Sequence, residues 1–151
     1  MKKTMILMLL SILLLPVSVF AKDEGHEAHQ MSHSGHSGKM IREASVEGYK
    51  FAYHLIDLNE QAHSTPEIKE MVMTHHLMVY IQSPQGQPVE NATVGYSVKE
   101  PGGESQKVMT MGMSGGFGAD VKLNAKGAYS ITVKAVVEGK TLKDEFEYTV
   151  K

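Results

Sequence analysis

Between residues 128 and 150 apolar and polar side chains take turns, and no other feature narrows the fold of this chain so much. Tyr129, Ile131, Val133, Ala135 and Val137 stand opposite Ser130, Thr132 and Lys134. After Glu138-Gly139-Lys140, Leu142, Phe146, Tyr148 and Val150 continue the pattern. A period of two sends successive side chains to opposite faces of a strand, and two such runs around a short Gly-containing link read as a β-hairpin. One face of that hairpin is apolar, so a second apolar sheet must cover it.

The rest of the chain supplies that cover. Tyr49, Phe51, Tyr53 and Leu55 alternate within 46–58. Leu77, Val79 and Ile81 do so within 75–82, and Val94, Tyr96 and Val98 within 92–99. Phe117, Ala119, Val121 and Leu123 follow, and residues 105–112 add a further extended run. Turn residues separate the runs: Ser83-Pro84-Gln85-Gly86, Pro101-Gly102-Gly103 and Asn124-Ala125-Lys126-Gly127. The sum is an all-β domain over 45–151, an immunoglobulin-like antiparallel β-sandwich of about seven strands, with a closed barrel as the main alternative. Residues 59–74 interrupt the pattern. Ser64 or Thr65 before Pro66-Glu67 reads as a helix start inside a long inter-strand loop.

The first residues read as an address. Lys2 and Lys3 precede an apolar run from Met5 to Leu15, Pro16 breaks it, and Val19-Phe20-Ala21 has small residues where a signal peptidase cuts. A signal peptide over 1–21 implies a periplasmic or secreted protein with no membrane attachment after cleavage; the run is short for a membrane span of about 20 residues. Residues 22–44 are rich in His, Ser and Gly and poor in large apolar groups, which predicts a disordered His-rich N-terminal tail.

Net charge is −2, dispersed along the chain. That gives no basis for a nucleic-acid partner. There is no G-x-S-x-G elbow, no H-E-x-x-H helix, no phosphate loop and no cysteine nucleophile. The chain is therefore read as a non-enzyme.

With no cysteine, any soft-metal site must come from methionine and histidine. Those residues cluster. Met71, Met73 and His75 are spaced by two, which aligns them in an extended chain, while His76 and Met78 share the opposite side. Met109, Met111 and Met113 are spaced likewise and are expected on one strand face. His54 on the first long strand is a further candidate. Thioethers suit Cu(I), and imidazole suits copper in both oxidation states. The competing reading is packing: Met is an adaptable core filler, and His75 is in phase with Leu77, Val79 and Ile81. A second alternative is a non-metal module that docks on a partner protein through a Met-rich face. In the tail, His26, His29, Met31, His33 and His36 form a flexible chelator for Cu(II), Ni(II) or Zn(II).

"THHLMVYI", "NATVGYSV", the Met-Gly-Met segment, "GGFGADVKL" and "KGAYSITV" together resemble the YtkA-like and FixH-like exported domains. The resemblance spans about 46–150. It implies an immunoglobulin-like module associated with copper handling, with His75, His76 and the segment from Met109 to Met113 in the family's site positions. Met-Gly-Met stands where related segments often read Met-Gly-His, which shifts the expected preference toward Cu(I) over Cu(II). The expectation is a copper buffer or chaperone that meets a periplasmic efflux system or a copper enzyme.

Overall fold

A computed structural model describes residues 38–59 and 73–151 of the chain. The leader over 1–21, the tail residues His26, His29, Met31, His33 and His36, the helix start near Pro66 and Met71 lie outside the described residues. Among the described residues no helix is long and apolar enough to cross a membrane.

The strands, in chain order, are β1 (Lys39–Val46), β2 (Tyr49–Asp57), β3 (His75–Gln82), β4 (Thr93–Lys99), β5 (Ser105–Met109), β6 (Met111–Met113), β7 (Gly116–Val121), β8 (Gly127–Val137) and β9 (Lys140–Val150). They form two antiparallel sheets, β1-β2-β3-β7-β6 and β5-β4-β8-β9. This is the expected all-β two-sheet architecture. The expectation of about seven strands undercounts it: nine are described, because β1 was not foreseen and the run over 105–112 is two strands in different sheets. With β1 starting at Lys39, residues 39–44 belong to the sheet and not to the tail that was expected to reach residue 44.

The inner faces are those the alternation marks. Phe51, Tyr53, Leu55, Leu77, Val79, Ile81, Phe117 and Val121 from one sheet meet Val94, Tyr96, Val98, Tyr129, Ile131, Val133 and Leu142 from the other in one core. Three two-residue turns, Glu47-Gly48, Ser114-Gly115 and Glu138-Gly139, have both residues at positive φ. That turn matches strand twist, and glycine in the second position lowers its cost. They fix the registers Val46↔Tyr49, Met113↔Gly116 and Val137↔Lys140.

Polar contacts tie the sheets at their margins. Tyr96 Oη donates to the Phe117 carbonyl at 2.8 Å. The Gln106 amide of β5 bonds both the Lys122 carbonyl and the Lys122 N–H, at 2.7 and 2.9 Å. Arg42 of β1 grips Asp144 of β9 with Nε at 3.1 Å and Nη2 at 3.0 Å, and its guanidinium lies 5.2 Å from the Phe146 ring centroid.

Candidate metal site

The outer face of the five-stranded sheet gathers the sulfur and imidazole groups. In β3 the residues between core positions are His76, Met78 and Tyr80, which face outward. Register then fixes their neighbours. Met40, His54, Met78, Gly118 and Met111 form one row across all five strands. On one side of it run Ile56, His76 and Asp120, and on the other Ala52 and Tyr80, with Gly116 and Met113 paired beyond them.

The centre of this face is a pair. His76 Nε2 lies 3.2 Å from Met78 Sδ. The other ring nitrogen, Nδ1, lies 2.6 Å from Asp120 Oδ1. An ionised carboxylate only accepts, so Nδ1 carries the proton and donates it. In the neutral ring Nε2 is then a lone pair, aimed at a thioether that is itself an acceptor. Two acceptors in contact need a proton or a cation between them. Carboxylate-held imidazoles of this kind are the usual arrangement of metal-binding histidines. Bonds of about 2.0 Å to nitrogen and 2.3 Å to sulfur span an edge of about 3.5 Å at a tetrahedral angle. The observed separation is close to that edge.

Gly118 makes the room. A Cβ built there would overlap both Met78 Sδ and His76 Nε2, so these two atoms lean into the space a side chain would fill. Glycine in a strand interior often marks such a close approach. Beyond Gly118 sits Met111, 69% exposed. Adjacent strands lie about 4.8 Å apart, so about 10 Å separates the backbones of Met111 and Met78, and Gly118 between them contributes no side chain of its own. Met113 follows on the same face, with Tyr80 lying over its partner Gly116.

The remaining candidates are placed differently. His54 is buried, its ring edge-on to Tyr80 at 5.3 Å and its Nδ1 3.3 Å from the Gly38 carbonyl. It is Met78's neighbour in the row but is packed into the sheet. His75 is in phase with the core, as the packing alternative held, and faces away from His76. It pairs with Asp57 at the end of the sandwich, and Nδ1 meets Thr74 Oγ1 at 2.8 Å. Burial pushes its pKa below the ordinary imidazole range, and Asp57 opposes that shift. Met73 is exposed just ahead of β3.

The expectation that Met109, Met111 and Met113 share one strand face is corrected. Thr110 bonds the Val94 carbonyl through its N–H and its hydroxyl, both at 3.0 Å, and there the chain passes from one sheet to the other. Met109 ends β5 beside Gly95 on the outer face of the four-stranded sheet, while Met111 and Met113 join the His76 face.

Sequence reasoning put Met78 beside His76 on one side of the strand but did not nominate Met40, Gly118 or Asp120. The signal that could have found the last two is Gly116-Phe117-Gly118-Ala119-Asp120, whose outward positions are empty, empty and acidic. Among the described residues no three of His, Asp and Glu converge.

No family model matches the chain, and no curated protein matches it in sequence. Solved structures do match in fold. A copper-bound variant of FetP from uropathogenic Escherichia coli strain F11 superposes with a TM-score of 0.59 at 16% identity, over 77% of this chain and 94% of FetP. A copper-bound variant of Campylobacter jejuni P19 gives 0.57 at 14% identity, over 76% of this chain and 97% of P19. A DUF4426-family protein from Pseudomonas aeruginosa PAO1 gives 0.55 at 14% identity, over 72% and 93%.

Proposed function

We propose that this chain is an exported, non-catalytic copper-binding protein, a buffer or chaperone. The observation that carries this reading is the His76 Nε2–Met78 Sδ pair, leaning together over the space that Gly118 leaves open. Met111, across that gap, is the natural third ligand, with Met113 and Met40 as further thioethers on the same face. A site of one imidazole and thioethers, with no carboxylate or thiolate ligand, suits Cu(I) over Cu(II) and over harder ions. Asp120 accepts the Nδ1 proton from behind and so fixes the tautomer in which Nε2 is the ligating nitrogen of the neutral ring.

Two fold neighbours are described as copper-bound, and FetP as expressed in the periplasm, which supports the metal and the compartment. The signal peptide expected over 1–21 would agree with that compartment. The resemblance to YtkA-like and FixH-like domains points to the same task. The tail histidines His26, His29, His33 and His36 would serve as an auxiliary chelator, holding Cu(II), Ni(II) or Zn(II) weakly and raising the local metal concentration. A periplasmic efflux system or a copper enzyme would receive the ion.

The test is competition for Cu(I) against a chromogenic chelator, using the mature chain, a His76→Gln variant and a variant with all four tail histidines changed to Ser. The expected result is one tight site that survives loss of the tail histidines and disappears with His76→Gln. Absence of Cu(I) binding, or binding carried entirely by the tail, overturns the reading. The exposure of Met111 favours the second reading, a Met-rich docking face without metal; it predicts that leucine at 111 is tolerated.

A further inference from the structure

The outer face of the four-stranded sheet carries a feature that metal binding does not use. Register puts Met109, Gly95, Lys134 and Lys143 in one row across it, with Lys107, Ser97, Thr132 and Glu145 in the next. A groove of about 510 Å³ runs along these rows, lined by Lys107, Lys134 and Lys143 and floored by Gly95, Val108 and Val136. Met109, 63% exposed, lies over Gly95: a Cβ there would come within 3.0 Å of its sulfur.

Two facts set this groove apart from an ordinary solvated face. Lys134 and Lys143 stand directly opposite one another, an arrangement of like charges that destabilises a sheet. Of the three lysines only Lys143 has a carboxylate partner among the described residues, Glu145 at 3.3 Å. The chain as a whole is acidic, with a formal charge of −2, so this is a local reversal of sign around an exposed thioether.

We infer that this groove is a docking surface for an acidic protein, one that presents carboxylates around an exposed apolar or methionine side chain. The carboxylates would meet Lys107, Lys134 and Lys143, and the central side chain would enter beside Met109. An open groove along a sheet face suits a protruding protein segment better than an enclosed small molecule. The groove and the copper site lie on the outer faces of opposite sheets, linked only by the chain, which turns at Thr110 and delivers Met111 to the other face. The docking surface therefore does not rest on the copper reading.

The experiment is an NMR titration of the full mature chain with a blocked probe peptide of four glutamates around a central methionine. Expected are amide shifts confined to Gly95, Met109, Lys134, Lys143 and their strand neighbours. Binding should weaken at least tenfold in the triple variant Lys107→Glu, Lys134→Glu, Lys143→Glu, whose exposed positions leave the fold intact by circular dichroism. Cu(I) affinity should stay within twofold in that variant, so failure of docking and failure of copper binding are read separately. The inference is overturned if the shifts map elsewhere, if the variant binds equally well, or if a lysine-for-glutamate peptide binds as tightly. It is also overturned if phosphatidylglycerol vesicles shift the same amides and the peptide does not, which would make the face a membrane contact.

Discussion

Replacing Gly118 by alanine should damage copper binding and spare the fold. The added methyl would overlap Met78 Sδ and His76 Nε2. Both atoms end flexible side chains, and Gly118 is not among the glycines held at positive φ, so the side chains move and the backbone stays. Met78 is 2% exposed. Expelling such a side chain completely would cost about 1.5–3 kcal/mol, and a shift of its tip costs about a third of that. Removing a glycine from the strand returns about 0.4–1 kcal/mol through the unfolded chain. The net change is within about 1 kcal/mol, a shift in Tm of about 5 °C or less. Prising Sδ from Nε2 disables a chelating pair, and even outer-shell changes at metal sites cost about 10–100-fold in affinity. Cu(I) competition should therefore show at least about a tenfold loss, about 1.4 kcal/mol. Gly112→Ala is the matched control, since nothing lies within 4 Å of its Cβ. Affinity within twofold of wild type in Gly118→Ala, with Tm preserved, would refute the cradle.

Met111→Leu should weaken Cu(I) binding about tenfold in the same competition while Met109→Leu leaves it within twofold, because the two lie on opposite sheets. Arg42→Met should destabilise the domain by about 1–3 kcal/mol in urea unfolding, since it strands a part-buried Asp144 and loses two charge-assisted bonds. His75 should make stability pH-dependent. Its folded pKa is depressed by burial, so below the ordinary imidazole value near 6.5 the unfolded chain takes up a proton that the folded chain refuses. The apo protein's Tm should fall as pH drops from about 7 through that window, and His75→Gln should flatten the slope.

Most of the core was legible because burial on one face leaves a period-two record. β1 left none: its residues are exposed or half-buried along the whole edge strand, so Lys39–Val46 shows no apolar rhythm and was absorbed into the polar tail. What places it is the turn at Glu47-Gly48 and the Arg42–Asp144 grip, neither of which alternation reports. The face shared by Met109, Met111 and Met113 was inferred by counting along one continuous strand. Thr110 ends that strand by bonding Val94, a long-range contact that local spacing cannot carry.

The site itself was half legible, for a reason that also argues for its function. Where a sandwich strand faces solvent, its outward residues are usually polar and exposed. In β2 and β3 the outward positions Ala52, His54, Met78 and Tyr80 are buried as thoroughly as the core. A strand buried on both faces normally reads as an unbroken aliphatic run. Here the second buried face instead holds the His54 imidazole, the Met78 thioether and the Tyr80 phenol, and two glycines on β7 admit Met78, Tyr80 and the half-buried His76. Sequence rules favour neither choice, since aliphatic residues would pack the face at lower cost and exposed polar ones would solvate it. Departures of this kind concentrate where a protein spends stability on function. The sulfur and nitrogen meeting above Gly118 are the part of the departure that packing alone does not explain.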